Sequence, residues 1–228
     1  MNSSNNNEQI SLDIQNNSNE EPELQRLDEI DPYCDGINYS STPSEPNEIK
    51  NIDIEISQSR DWYQNFLSAY LEEGNIIKDK YKKRYSAKVI FYFHDFSCTY
   101  SSEVRISGDF KDHLYGENFN PSLDVRLLEG NILNVTKFKL FLPSTRNSND
   151  EVFFANLMKE LGFLSPKTFY VNVTINNNST HKYIFQEKIN KEFIESNNLR
   201  ESALFESNEN IYWEINNNNL NFDKNIYK

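Results

Sequence analysis

Apolar and polar positions alternate from Ala87 to Leu142, through "AKVIFYFHDF", "YSSEVRISGDF" and "SLDVRLLEGNILNVTKFKLFLP". Period two is the spacing of a half-buried strand, so this region predicts four or five strands. Turn-forming residues gather at Ser97–Tyr100, Gly108–Asn120 and Glu129–Asn131, which are read as the connections. The period lengthens to that of a helix twice. In "DWYQNFLSAYLEEG", Trp62, Phe66, Ala69 and Tyr70 recur at helical spacing, with Asp61 as a cap and Gly74 as a stop. In "STRNSNDEVFFANLMKELGFLSP", Val152, Phe153, Asn156, Leu157 and Leu161 share roughly one face, with Ser148 or Asn149 capping and Gly162 ending the helix. Phe153, Leu157 and Leu161 are expected to pack on strands at 123–142 and 168–186. Those later strands are "KTFYVNVTIN" and "HKYIFQEKI", a hairpin joined by "NNNST". A short helix, "NKEFIESNN", follows. The expected class is α+β: an antiparallel sheet with one main packed helix, preceded by a disordered tail.

The flanks are different. Residues 1–58 are rich in Asn, Ser, Glu and Pro with no sustained period, and such a stretch buries too little to offset its chain entropy. It is read as a disordered acidic tail, with "IKNIDIEI" as a strand-like piece of it. Residues 59–215 are expected to be the domain and 216–228 a frayed end. Charge supports this division, because about -10 of the formal net charge of -12 falls within residues 1–60. The body is nearly neutral, which argues against broad binding of nucleic acid. The basic run from Lys78 to Arg84 is read as a solvated helix end that pairs with the acidic tail.

No apolar run approaches the roughly 18 residues of a membrane span. The N-terminal stretch lacks a basic and then apolar leader, so the expected location is intracellular and cytoplasmic, or host cytoplasm or virion for a viral source. Cys34 and Cys98 cannot form a disulfide framework and neither has metal-type spacing. Asparagine makes up 34 of 228 residues, a bias that an AT-rich genome produces, so the sequons at Asn134, Asn172 and Asn177 are discounted.

Candidate chemistry is sparse. GxSxG, HExxH, CxxC and Walker-type loops are all missing from the sequence. His113 lies in "GDFKDHL" beside Asp109 and Asp112, and a polar turn is preferred there over a cation site. Gly108 in the same turn could let backbone N–H groups approach phosphate. In "TKFKLFLPSTR", Lys137 and Lys139 share one strand face, and such a lysine can neutralise phosphates.

The order of "KFK", Arg146, "LMKELGFLSPKT" and "YIFQEKI" resembles the CotH-type (spore-coat protein kinase-like) family over roughly residues 103–215. Lys167 stands where that family often has Arg. The resemblance implies a kinase N-lobe-like domain, with Gly108 in the phosphate-covering turn, Lys137 or Lys139 on phosphates, and Glu187 with Lys188 at the hinge between lobes. The family's metal-binding and catalytic acids lie beyond that hinge, and the 40 residues after Lys188 are read as too few to supply them. The expectation is a non-catalytic binding or interaction module with a possible protein partner, no catalytic residue, no metal ligand and no cofactor. An active atypical kinase, using ATP and Mg with groups from a partner chain or a divergent C-terminus, is the alternative. A structural protein, for example of a large DNA virus, is another.

Overall fold

The computed structural model describes Cys34, residues 48–200 and residues 203–204. Seven strands form the body: β1 (Asn51–Ile56), β2 (Tyr85–Tyr92), β3 (Ser97–Ile106), β4 (Leu123–Leu127), β5 (Lys137–Phe141), β6 (Thr168–Ile175) and β7 (His181–Glu187). Three helices accompany them, α1 (Ser59–Leu71), α2 (Asn149–Glu160) and α3 (Lys191–Ser196). The strands follow the order β1-β2-β3-β4-β5-β7-β6 and close into a barrel. Every pairing is antiparallel except the closing one, in which β1 runs parallel to β6 with Ile52 opposite Val173 and Ile54 opposite Ile175.

That closure corrects the expected class. The core lies inside a closed mixed barrel and not between an antiparallel sheet and a packed helix. Inward positions alternate along each strand, as the two-residue period requires. Phe138 stacks on Phe185, and Phe185 on Phe169, each pair with ring centroids 4.6 Å apart. Phe91 joins Tyr100 and Phe138 at 5.8 Å in edge-on contacts. Phe91, Tyr100, Phe138 and Phe185, with Ile52, Ile54, Val89, Val104 and Val125, fill the interior with fully buried side chains, and the partly buried Phe169 packs against them. A barrel that fills itself needs no helix to cover it.

The helices therefore take other places. α1 buries Trp62, Phe66 and Ala69, and Trp62 meets the Tyr85 ring edge-on at 5.3 Å. Lys111, itself buried, donates to the carbonyls of Tyr70 and Glu72 and so caps the end of α1. α2 lies against β6 from outside and has no buried residue. Phe153, Leu157 and Leu161, expected in the core, are exposed.

Other expectations also change. "IKNIDIEI" supplies β1, with Ile52, Ile54 and Ile56 buried, so the folded unit begins before residue 59. Ser97–Tyr100 is not a turn: it opens β3, and the reversal falls at 93–96, where Phe93 N–H donates to the Phe96 carbonyl. Cys34 and Cys98 form a disulfide across 64 residues, with both cysteines buried. Such bonds persist in oxidising environments and are rare in the cytosol. The basic run from Lys78 does not need the acidic tail. Lys78 and Lys80 bind Glu72, Lys82 binds Asp109, and Arg84 binds Asp124. With both lysines and the Tyr81 hydroxyl donating to it, the Glu72 carboxyl is lowered to about 2. The frayed end expected at 216–228 lies outside the described residues. Among the described residues, no helix is long and apolar enough to cross a membrane.

Candidate functional site

Strand register decides which side chains meet on the barrel's outer flank. Opposed residues share a face, so Arg105 on β3, Asp124 on β4, Lys139 on β5 and Gln186 on β7 form one outward row. Arg126 and Lys137 begin the next row. Asp124 is buried at the centre of the first row. Its carboxylate accepts from Arg84 Nη2 at 2.6 Å and from Arg105 Nη2 at 3.0 Å. Burial alone would raise its pKa, but the two guanidinium groups hold it below the usual carboxylate range. The row then ends at α2, where Gln186 Nε2 donates to Glu151 Oε1.

Beside Lys139 lies the Gly108 turn. Gly108 has φ of +101°, and its Cα packs over the His113 ring. His113 is buried, with Nδ1 3.0 Å from Ser122 Oγ, which also accepts from the Leu142 N–H. Phe141 lies under this group, its centroid 5.7 Å from the His113 ring, 5.5 Å from Lys139 Nζ and 4.0 Å from the Arg146 guanidinium carbon. Burial lowers the His113 pKa, and the charges of Arg146 and Lys139 act in the same direction against Asp112 and Asp109. Asp109 is lowered chiefly by its hydrogen bond from Lys82. Arg146 ends a 3-10 turn at Pro143–Arg146, and its buried Nε has no hydrogen-bond partner. A guanidinium held flat on an aromatic ring is a suitable contact for an anion.

Arg146 also opens onto a cleft of about 510 Å³ between that turn, α2 and the end of β7. Asn147, Glu151, Phe154, Met158 and Gln186 are among its walls. The lining therefore combines one cation, Arg146, with the acids Asp150 and Glu151, the amides of Asn147 and Gln186, and the apolar Phe154 and Met158.

The residues singled out from sequence divide between two places. Gly108 and Lys139 come together around His113 and Phe141. Lys137 lies two residues further along the same strand face. Glu187 does not join them. It sits opposite Phe138, which faces inward, and is buried at the barrel's end, where it accepts from Lys167 Nζ and the Lys167 N–H, each at 3.1 Å. Asp109, Asp112 and His113 do not converge as a cation site, since Asp109 binds Lys82 and His113 Nδ1 turns to Ser122. Sequence reasoning missed the burial of His113 and the roles of Asp124 and Lys111. The apolar neighbours Phe110 and Leu114 are the one signal for His113. Comparison of the chain with models of known families and with curated proteins gives no match.

Proposed function

We propose that this chain is a non-catalytic binding module, related to the N-terminal part of CotH-type kinases, that holds an anionic phosphate-bearing ligand on the flank around Lys139 and Arg146. The observation that carries the reading is the Arg146 guanidinium, stacked on Phe141 and lining the cleft beside α2. Lys139 supplies a second positive charge from the strand, and the Gly108 turn closes the flank beyond His113. Two acids, Asp150 and Glu151, also line the cleft, and Glu151 accepts from Gln186.

Half-exposed cations in water contribute roughly 0–1 kcal/mol each. Two of them, with stacking of a base against Phe154 and Met158, give an affinity on the order of 1 mM, about -4 kcal/mol. Calorimetry with ATP and magnesium on the full chain tests this, beside Lys139→Ala with Arg146→Ala and an assay of phosphate transfer. Weak binding lost in the double variant, with no transfer, is expected. Steady transfer by the wild-type chain would establish the active kinase instead. Binding unchanged by the double variant would move the site elsewhere.

A further inference from the structure

The Glu187–Lys167 pair forms one wall of a second pocket, of about 290 Å³, between α2, the 165–168 segment and the end of α3. Neither Arg146 nor Lys139 lines it. The Glu187 side chain is 2% exposed and that of Lys167 17%. Both bonds from Lys167, one from its N–H and one from Nζ, fall on Oε2. Oε1 accepts nothing from the described residues, so half of a buried carboxylate is left without a donor. Such a group is costly unless a donor reaches it, and a charged donor serves it best. Lys167 Nζ likewise keeps two of its three protons for an acceptor.

Other polar side chains of the wall turn protons inward. Asn156 Nδ2 donates to the Val152 carbonyl at 2.8 Å, Asn197 Nδ2 to the Phe193 carbonyl at 2.7 Å and Ser165 Oγ to the Ala155 carbonyl at 2.8 Å. What they chiefly have left to offer is oxygen. A wall rich in acceptors, with Lys159 and Lys167 for positive charge, suits a molecule that carries an ammonium and a carboxylate together. Volume sets its size. About 290 Å³ is near the lower bound of ligand pockets and holds about ten non-hydrogen atoms at roughly 30 Å³ each.

We infer that this pocket binds a free α-amino acid with an apolar side chain. Its ammonium donates to Glu187 Oε1, its carboxylate accepts from Lys167 Nζ, and its side chain lies against Phe163 and Pro166. One carbon separates the two charged groups of an α-amino acid, which suits an acceptor and a donor that meet on one carboxylate. This does not depend on the anion site.

Titration of the isotope-labelled full chain with L-valine, L-leucine, L-methionine and L-phenylalanine, followed by nuclear magnetic resonance, is the test. The amides of Lys167, Thr168, Glu187 and Asn197 are expected to shift with at least one of them, while those of Arg146 and Asn147 stay in place. The N-acetyl form of the best ligand lacks the ammonium, and its methyl ester lacks the carboxylate. Each should bind at least about tenfold more weakly than the free amino acid. Glu187→Gln should abolish the preference for the free ammonium over the N-acetyl form. A merely structural ion pair would lower the melting temperature and leave that preference intact. If Glu187→Gln fails to fold, the capped ligands on the wild type decide the matter. No shift with any of the amino acids, shifts centred on Arg146, or capped forms that bind as well as the free amino acid would overturn the inference. So would a preference that survives Glu187→Gln.

Discussion

Gly108→Ala is expected to destabilise the barrel by about 3–7 kcal/mol, and the reasons can be separated. The residue sits at φ +101°, where a side chain costs about 1–3 kcal/mol in backbone strain. A Cβ built there would lie 2.1 Å from both Cγ and Cδ2 of His113, so the ring has to move. It has little room, being buried against Phe141 and bonded to Ser122. Displacing it forfeits a hydrogen bond of about 1 kcal/mol and adds roughly 1–3 kcal/mol of overpacking. Urea denaturation of wild type, Gly108→Ala, His113→Ala and the double variant measures the two parts. With the ring removed, Gly108→Ala should cost the strain alone, so the cycle should show a coupling of at least about 1 kcal/mol. Equal costs in both backgrounds, or a cost below about 1 kcal/mol in the wild type, would refute the packing of this turn on His113.

Three further outcomes follow from the geometry. Asp124→Ala should cost about 2–3 kcal/mol by calorimetry, less than for a fully buried pair, because Arg84 and Arg105 can turn to water. The lowered carboxyl also makes wild-type stability fall as pH drops below the ordinary aspartate range, a loss that Asp124→Asn should reduce. His113 is neutral when folded but takes up a proton when unfolded, so stability should rise with pH through the window just below the ordinary histidine value; denaturation midpoints in His113→Ala should lack this slope. Reducing Cys34–Cys98, which closes a loop of 64 residues, should lower stability by about 4 kcal/mol in matched oxidised and reduced samples.

Period-two alternation made the strands of the body legible, because each has one face inside the barrel. β2 shows it most clearly, with Tyr85, Ala87, Val89 and Phe91 inward. The closing strand was harder to read. Ile52, Ile54 and Ile56 alternate for only six residues within an Asn- and Glu-rich stretch, and their parallel partner lies over a hundred residues away. Missing that closure also reversed α2. Its apolar arc was visible in the sequence, but the same arc reads as core until the barrel is known to fill itself. Of the site, Gly108 and Lys139 were legible from turn and strand chemistry. The buried Asp124 looked like any outward strand residue, since nothing local marks it as the partner of two arginines on other elements. Glu187 was placed by the order of motifs, and strand parity puts it at the barrel's end. The disulfide was hidden by its separation.

Backbone nuclear magnetic resonance of the full chain during titration with ATP and magnesium tests the anion site most directly. Shifts confined to Gly108–His113, Lys139–Asn147 and Gln186, saturating in the millimolar range and abolished by Arg146→Ala, are the expected result. A titration that leaves these residues unmoved, or that moves a different set and survives Arg146→Ala, would contradict the account.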